Sequence, residues 1–374
     1  MRYIWQNEDW ANFRWDSGGI LGALSTARSQ QGYILGQAEF FELKDQGDLV
    51  IEEALSTSAI EGEPLDRDSI RSSVARRLGL PTAGLPENIR GGDGLVEVLL
   101  DATRNYETRL TPERLWAWQA ALFPTGYSGI FKIRTGEWRT GSNPMRVVSG
   151  SMGRETVHFE APPSERVENE MKSFLLWWKN SENRMDGIIR AAVAHLRFVT
   201  IHPFEDGNGR ISRALTDMAL AQDEKKGMRL YSLSTQIKKD KSGYYRILEE
   251  TQKGRGDITE WLIWFLDMFG ESIENSRKLI SRTLFLGKYF RDLSDIHLRE
   301  RQLKVLKKML ELYPEDFKGG LTNRKYVAMT RVSPETAKRD LKEMLDKGVL
   351  IRGNGKGRSV NYRLNRTPGI PTAV

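Results

Sequence analysis

The feature that most restricts the fold is a break between two long helical patterns. Residues 186–201 and 209–223 both carry apolar side chains at helical spacing. Pro203 ends the first pattern, because proline lacks a backbone N–H and disfavours helix in the residue before it. Gly207-Asn208-Gly209 follows, and these residues tolerate left-handed backbone. The sequence therefore predicts two helices that are joined by a tight loop.

Helical spacing dominates the rest of the first 270 residues as well. It predicts further helices over residues 20–43, 49–60, 95–106, 112–123, 164–180, 241–253 and 258–269. One segment differs, because residues 146–149 and 156–159 are short β-rich runs that Gly150-Ser151-Met152-Gly153 separates. This pattern is typical of a β-hairpin.

The C-terminal part has a different order of elements and a different charge. It predicts three helices over residues 298–312, 322–329 and 333–347, then two strands, 349–352 and 359–363, around a glycine-rich basic tip. Three helices followed by a hairpin is the order of a winged helix-turn-helix domain. From His297 onward there are 18 Lys and Arg residues against 8 Asp and Glu, whereas the preceding residues have 39 against 42. The basic excess is typical of a module that binds a polyanion, and equally of a solvated surface.

Composition excludes several classes of protein. The chain has no cysteine, which rules out disulfides, thiolate metal sites and cysteine nucleophiles. A chain without cysteine suits a reducing compartment, and we predict a cytoplasmic location. The N-terminus lacks the apolar core of a signal peptide, and the most apolar stretch, residues 258–269, is too short to span a bilayer. We therefore expect no membrane association.

The loop and the start of the second helix bring together residues suited to phosphate chemistry. Gly207-Asn208-Gly209 can direct successive N–H groups into an anion-binding nest at a helix N-terminus. Arg210 and Arg213 lie on one helical face and offer two guanidinium groups to phosphate. Asp206 offers a hard oxygen ligand for Mg²⁺, and His202 is a natural general base. Each feature alone is more common in a turn, a cap or a solvated face, but their combination within twelve residues indicates a catalytic phosphate site.

The segment from His202 to Arg213, H-P-F-E-D-G-N-G-R-I-S-R, matches the Fic-domain signature H-x-F-x-[D/E]-G-N-G-R-x-x-R at every specified position. The chain therefore resembles the Fic-domain family. The resemblance implies a helical core whose catalytic loop joins two helices, with a β-hairpin flap nearby. It also implies transfer of AMP from ATP to a protein hydroxyl, which is called AMPylation.

The resemblance assigns a role to each matching residue. His202 would deprotonate the hydroxyl of a Ser, Thr or Tyr residue in the target protein, and Phe204 would anchor the loop in the core. The remaining roles are Mg²⁺ binding by Asp206, an anion hole formed by Gly207, Asn208 and Gly209, and phosphate binding by Arg210 and Arg213. Tyr245 would contact the nucleotide base. Two positions depart from the family pattern, since Gln252 stands where Asn is frequent and Gln119 where His is frequent.

The predicted hairpin resembles the flap of the family. An extended segment of the target would bind there by adding a strand, a mode that depends little on side chains. The flap residues with side chains toward this segment would be Val147, Val148, Val157 and Phe159. The alternative is a surface hairpin without this role.

A second motif lies upstream. Thr57-Ser58-Ala59-Ile60-Glu61-Gly62 matches [S/T]-x-x-x-E-[G/N], the inhibitory-helix signature of autoinhibited Fic proteins. Alone the pattern is weak, because helices that end in Glu-Gly are common. In this family Glu61 would pair bidentately with Arg213 and occupy the space that the γ-phosphate of ATP needs. ATP would then bind only in an unproductive position.

The predicted fold class is mostly α, with a helical Fic core, a small hairpin flap and a C-terminal winged helix-turn-helix domain. We divide the chain into an N-terminal helical region with the inhibitory motif (1–90), a catalytic core (91–270), a helical linker (271–296), a winged-helix domain (297–366) and a flexible tail (367–374). No motif in residues 1–47 indicates their role.

The leading hypothesis is an AMP-transferring enzyme that Glu61 inhibits, with ATP, Mg²⁺ and a target protein as its partners. The reverse reaction is an alternative, in which Glu61 aligns a water that removes AMP from a modified protein. A third hypothesis is a DNA-binding regulator, whose DNA contacts would come from Lys338, Arg339, Lys342, Lys356 and Arg358. The winged helix could equally bind a protein partner or form a homodimer.

Overall fold

The computed structural model describes residues 3–85, 92–149, 156–227, 229–313, 315, 317–355 and 360–367. The chain divides into two compact units, Met1–Ser276 and Arg277–Val374. The predicted hairpin turn at residues 150–153 and the basic tip residues Lys356 and Arg358 lie outside the described residues. None of the helices in the described ranges has both the length and the apolar character that a bilayer crossing requires.

The described part of the first unit consists of helices and two small antiparallel hairpins. The helices are α1 (Ser17–Gly36), α2 (Leu43–Ile60), α3 (Arg67–Leu78), α4 (Asp93–Arg104), α5 (Pro112–Leu122), α6 (Ser164–Ser181), α7 (Gly187–Ile201), α8 (Asn208–Glu224), α9 (Leu233–Lys239), α10 (Lys241–Gln252) and the first part of α11 (Thr259–Asp292), whose residues after Ser276 belong to the second unit. The hairpins pair β1 (Tyr127–Ser128) with β2 (Phe131–Lys132), and β3 (Arg146–Ser149) with β4 (Thr156–Glu160). The prediction of a mostly α fold is confirmed.

Helices α7 and α8 form the centre of this unit. Every residue of α7 is buried, and α8 packs along it. Asp186 starts α7, because its carboxylate accepts hydrogen bonds from the N–H groups of Ile188 and Ile189. The two predicted helices and the tight loop between them are confirmed, and α8 begins at Asn208, one residue before its predicted start.

The N-terminal helices differ from the prediction. Residues 20–43 do not form one helix, since α1 ends at Gly36 and α2 begins at Leu43. The N–H of Glu42 donates to the carboxylate of Asp45 at 3.1 Å, a local contact that starts α2. Apolar spacing alone did not reveal this break, because it continues through the short 3₁₀ turn at Ala38–Phe40.

The second unit has its own apolar core. After the end of α11, its elements are α12 (Glu300–Glu311), α13 (Asn323–Thr330), α14 (Pro334–Asp346) and the antiparallel strands β5 (Leu350–Arg352) and β6 (Tyr362–Leu364). This order of elements agrees with the prediction. The core also contains Tyr289 and Leu293, which belong to the segment predicted as a linker.

Candidate active site

The loop between α7 and α8 is held in shape by its own residues. His202 ends α7 with a left-handed φ of 52°, and Gly207 precedes α8 with a φ of 90°. The Asn208 side chain spans the loop, because its Nδ2 donates to Phe204 O at 2.8 Å and its Oδ1 accepts from Phe204 N–H at 3.0 Å. Phe204 itself is fully buried, with its ring 5.0 Å from that of Trp138. Phe204 therefore occupies the anchoring position that the resemblance implied.

His202 has the geometry of a base. Its Nδ1 lies 3.1 Å from Val199 O. Since a carbonyl oxygen can only accept, Nδ1 carries the proton and Nε2 keeps a free lone pair. Burial lowers the pKa of His202 and the charge of Arg139 lowers it further, whereas the Val199 contact and the carboxylates of Glu61 and Asp206 raise it. The net shift is downward, which favours the neutral imidazole near neutral pH.

Glu61 lies against the first turn of α8. Glu61 caps the end of α2, and its Oε1 is 2.6 Å from Nη2 of Arg213. Arg213 is buried, with an exposed fraction of 2%. Arg213 also donates from Nε to the Thr57 hydroxyl at 2.6 Å and from Nη2 to Thr57 O at 3.0 Å. The predicted pair is present, but it joins one carboxylate oxygen to one guanidinium nitrogen and is not bidentate, and Thr57 accepts from Nε and Nη2 of the same group. Thr57 and Glu61 lie one helical turn apart, which gives both motif positions a contact with the same guanidinium.

Gly209 makes room for this carboxylate. A Cβ placed on Gly209 would lie 2.2 Å from Oε1 of Glu61 and 3.3 Å from Nη1 of Arg213. Side-chain carbon atoms do not approach oxygen that closely, so any larger residue at this position would displace the Glu61 carboxylate from its present place. The carboxylate therefore occupies the N-terminal end of α8, which attracts anions.

A second ion pair lies beside the first. Oε2 of Glu63 is 2.7 Å from Nη1 of Arg210, and the Arg210 guanidinium lies over the ring of Phe123 at 4.9 Å. Gly62, with a φ of 84°, turns the chain between the two glutamates. This turn thus places the carboxylates of Glu61 and Glu63 next to the two arginines of the signature.

Both arginines keep buried donors. Nη1 of Arg213 and Nε of Arg210 are buried and have no hydrogen-bond partner within the described ranges. Buried donors are normally satisfied, so each such atom requires an explanation. An anion with several oxygens at the start of α8 would satisfy them.

Asp206 is placed beside these donors. Its Oδ1 accepts the N–H of Gly207 at 2.5 Å and lies 3.8 Å from Nη2 of Arg210, and the hydroxyl of Ser128 donates to its Oδ2. The side chain is 38% exposed. In the part of the chain that the structure describes, no group of three or more His, Cys, Asp or Glu residues could hold a metal. A cation at Asp206 would therefore need ligands from a bound molecule.

The tyrosine pair on α10, Tyr244 and Tyr245, lies next to α2. The hydroxyl of Tyr245 donates to Ile60 O at 3.1 Å, and burial, with a further contribution from the charge of Glu61, raises the pKa of Tyr245 to about 12. Tyr244 is buried, and its hydroxyl is 2.8 Å from Nε2 of His195. These contacts hold α10 beside α2 and α7.

The two glutamines at the unusual family positions have internal partners. Gln119 donates to Arg134 O at 3.2 Å and accepts from the N–H of Gly136 at 2.8 Å. Nε2 of Gln252 donates to the Thr200 hydroxyl at 3.2 Å. Both side chains therefore connect neighbouring parts of the core.

The flap hairpin presents only some of its predicted residues. Val148 pairs with Val157, and their exposed fractions are 48% and 39%. Val147 is partly buried and pairs with Phe159, which is 2% exposed and packs edge-on against Tyr3 at 5.3 Å. Phe159 therefore anchors the hairpin, and its side chain is closed to a bound segment.

The N-terminal segment holds this hairpin in place. The indole N–H of Trp5 donates to Glu160 O at 2.6 Å, next to the Tyr3–Phe159 contact. On the other side, Nδ1 of His158 lies 2.6 Å from Oε2 of Glu249 on α10. These contacts give residues 3–5 a structural role that no sequence motif indicated.

Sequence reasoning missed three residues of the site. Glu63 had a signal, because an acidic residue follows the inhibitory Glu-Gly pair directly. Ser128 and Arg139 had none, since their contacts with Asp206 and with the loop depend on the fold.

Two family models match the sequence: "Domain of unknown function (DUF4172)" over residues 3–80 and "Fic/DOC family" over residues 109–220. The chain is similar to a probable protein adenylyltransferase (aq_aa38) of Aquifex aeolicus, with 28% identity over 124 residues that cover 31% of this chain and 38% of that protein. A stretch of 65 residues is 40% identical to the uridine 5'-monophosphate transferase of Xanthomonas campestris pv. campestris and covers 16% of this chain and 12% of that protein. The chain thus spans less than two fifths of the length of these relatives.

The fold is similar to that of a Fic family protein from Desulfovibrio desulfuricans G20. The TM-score is 0.51 at 18% identity, and the match covers 93% of this chain and 96% of that chain. At this identity the similarity establishes a common fold.

Proposed function

We propose that this chain, whose residues 109–220 match the Fic/DOC family, transfers AMP from ATP to a Ser, Thr or Tyr hydroxyl of a target protein and that Glu61 inhibits this transfer. One observation carries the proposal. The base His202 begins a loop at whose other end two buried arginines, Arg210 and Arg213, keep unsatisfied donors. Transfer of a phosphoryl-type group needs positioning and charge neutralisation more than covalent chemistry from the protein.

The reaction has a simple balance in this arrangement. Nε2 of His202 takes the proton of the acceptor hydroxyl, and the freed oxygen attacks the α-phosphorus of ATP. The bond from the α-phosphorus to the oxygen that bridges to the β-phosphate breaks, and pyrophosphate leaves. Arg210, Arg213 and the first N–H groups of α8 bind the phosphate oxygens.

Asp206 fits a magnesium ion that ATP brings with it. Mg²⁺ commonly takes one or two protein carboxylates and completes its shell with phosphate oxygens and water. Asp206 is one such carboxylate, partly exposed and 3.8 Å from Arg210. When bound, the ion would neutralise charge on the phosphates. Ser128 orients the carboxylate for this role by its hydrogen bond to Oδ2.

Glu61 opposes the reaction in two ways. Its carboxylate occupies the start of α8 against Gly209, where phosphate oxygens would lie. It also holds Nη2 of Arg213 at 2.6 Å, so that donor is not available to the γ-phosphate. A second carboxylate, Glu63, adds negative charge at Arg210.

Labelled nucleotides test the proposed reaction. Glu61→Gly protein is incubated with ATP labelled at the α- or the γ-phosphate, and labelling of the protein itself is measured. Label is expected from α-labelled ATP only, and not in the His202→Ala variant. Labelling from the γ position would indicate phosphate transfer, and equal labelling with His202→Ala would refute the proposal. α-Labelled UTP in parallel tests whether the site selects adenine.

The flap is proposed to position the target. An extended segment would add as a strand to the β3–β4 hairpin, with Val148 and Val157 as the exposed side chains in contact with it. The rest of the hairpin is held by Phe159 and by Trp5, which suits a rigid platform.

Removal of AMP is a second candidate, and the placement of Glu61 favours it. The Glu61 side chain is 29% exposed and lies over the phosphate end of the site, where a carboxylate could align an attacking water. The test is release of AMP from a modified protein by wild type and by Glu61→Gly.

The second unit supports a DNA-binding candidate, with α14 as the recognition helix of a winged-helix domain. The carboxylate of Asp340 is buried and is engaged by Arg299, Arg301 and Tyr326. The basic residues that α14 exposes are Lys338, Arg339 and Lys342. A gel shift with salt titration tests this candidate, since binding should weaken with salt and on substitution of these three residues by Ala.

A further inference from the structure

Arg139 joins the catalytic loop to the end of the flap hairpin. Its Nε donates to His202 O at 2.7 Å, its Nη2 donates to Pro162 O at 2.5 Å, and Ile201 O lies 3.4 Å from Nη2. The backbone N–H of Arg139 donates to Pro203 O at 2.9 Å. One residue thus contacts the carbonyls of three consecutive loop residues and a carbonyl that follows β4.

The guanidinium is buried, and its hydrogen-bond partners among the described residues are carbonyl oxygens. Arg139 is 4% exposed, and among the described residues Glu165 acts on it through charge alone. Burial lowers the pKa of Arg139 to about 10, so the group remains charged at neutral pH. A buried charge is costly unless polar groups surround it. The last carbonyls of α7 provide such groups, because they lack helical partners and carry the negative end of the helix dipole.

We propose that Arg139 is a positioning residue that fixes the His202 base relative to the flap. The inference rests on the proposed function, in which Nε2 of His202 takes the proton of the acceptor hydroxyl. His202 has left-handed backbone, which persists in a non-glycine residue only when its surroundings hold it. Arg139 holds the carbonyl of His202 and that of Pro162 with one planar group. A segment bound to the hairpin is thereby brought into register with the base.

A residue that merely caps α7 would account for the same hydrogen bonds, so the test needs a readout that capping does not change. Three charged groups act on His202: Arg139 lowers its pKa, whereas Glu61 and Asp206 raise it. Removal of the Arg139 charge should therefore raise the pKa of His202. Less of the histidine would then be neutral at a given pH, and the acid limb of the activity profile would move to higher pH.

Histidine titration by NMR measures this directly. The chain has four histidines, so a protein labelled in its histidine rings gives few signals. The variants are Arg139→Gln and Arg139→Lys. The matched control is Arg190→Gln, because Arg190 is also buried, has a pKa lowered to about 10 by burial, and donates to a carbonyl, Trp178 O, at 2.9 Å. We expect a raised His202 pKa in Arg139→Gln and an unchanged one in Arg190→Gln.

Kinetics in the Glu61→Gly background supply the second readout. Arg139→Gln should lower kcat by about 10²-fold, the effect of a misplaced reacting group, with the KM for ATP unchanged. Arg139→Lys keeps the charge but loses the planar fork. It should therefore retain the wild-type acid limb while kcat falls by about 10-fold, as for one lost hydrogen bond.

The inference is overturned if folded Arg139→Gln leaves the His202 titration unchanged and loses no more kcat than Arg190→Gln. If Arg139→Gln does not fold, Arg139→Lys decides, and a kcat equal to that of the parent overturns the inference. The titration does not depend on activity. Absence of label transfer in every variant would therefore count against the proposed function, whereas an unmoved His202 pKa would count against Arg139.

Discussion

The Glu61–Arg213 and Glu63–Arg210 pairs have nearly the same length but very different surroundings. The N–O distances are 2.6 and 2.7 Å. Both arginines are buried, with side chains 2% and 7% exposed, but the Glu61 side chain is 29% exposed and that of Glu63 is 45% exposed, and only Arg213 also binds Thr57. Only Glu61 lies against Gly209 at the start of α8.

This difference indicates how the two carboxylates would contribute to the inhibition that we propose. A solvent-exposed ion pair contributes about 0–1 kcal/mol, because water and salt screen it. A pair whose carboxylate is less exposed and whose arginine makes further hydrogen bonds is harder to break, since its loss leaves an uncompensated charge. Glu61 is therefore expected to provide the main block and Glu63 a weak addition.

The largest expected effect tests whether the AMP transfer that both ion pairs are proposed to inhibit depends on His202 as the base. In the Glu61→Gly background, His202→Ala should lower the rate of AMP transfer by about 10²–10⁴-fold, because the base is lost. Nucleotide affinity should persist, since His202 has no proposed role in binding ATP. Initial rates of labelling and ATP binding by calorimetry measure the two quantities. If AMP transfer persisted in His202→Ala, the increase in rate that follows removal of Glu61 or Glu63 would not depend on His202.

The next largest expected effect concerns Arg213, the arginine that pairs with Glu61. Arg213→Ala in the Glu61→Gly background should lower AMP transfer by about 10–10²-fold, because a charge-assisted hydrogen bond to the γ-phosphate is lost. Rates at saturating and limiting ATP, with a thermal melt to confirm folding, check this. If the rates were unchanged, Arg213 would bind Glu61 but not ATP. Glu61 would then inhibit by filling the phosphate space, and not by competing with ATP for Arg213.

Glu63→Gln should have a smaller effect in the opposite direction. We expect a rise in AMP transfer of less than about 5-fold, in line with the small value of an exposed pair. Glu97→Gln is the matched control, because Glu97 is 64% exposed, lies 3.4 Å from Arg77 and is outside the site. A rise as large as that of Glu61→Gly would abolish the distinction between the two pairs.

The smallest expected effect is a difference between the two ion pairs in how salt changes the rate of AMP transfer. Between about 0.05 and 0.5 M salt, the gain from Glu63→Gln should shrink, because screening already weakens the exposed pair. The gain from Glu61→Gly should change less, since the Glu61 side chain is less exposed than that of Glu63 and occupies the phosphate space against Gly209. Rates of wild type and both variants across a salt series give the comparison, and equal salt dependence would contradict it.

The loop of the site could be predicted from sequence because its determinants are local. Pro203, Gly207 and the arginines lie within a dozen residues, and the residue types restrict the backbone directly. Thr57 and Glu61 are similarly local, since they share one helix face. The pairing of Glu61 with Arg213 came from the resemblance, and the structure adds Thr57 as a second partner of the same guanidinium.

The remaining contacts depend on the fold and have no local signal. Glu63 and Arg210 are 147 residues apart, and Arg139 lies 63 residues before His202. The alternation of residues along the strand predicts that Phe159 contacts the target, but the ring of Tyr3 packs against it. Alternation predicts which side chains share a face, but it does not predict which face the N-terminal segment will cover.

The most direct test of the account compares AMP transfer and AMP removal by wild type and Glu61→Gly. The account predicts that Glu61→Gly raises the kcat of transfer by about 5–150-fold, the usual range of such a coupling, with a smaller change in the KM for ATP. Glu61→Gln, which keeps the size but not the charge, should lie between the two. If Glu61→Gly leaves transfer unchanged while removal of AMP is lost, Glu61 is a hydrolytic residue and the inhibitory account is wrong.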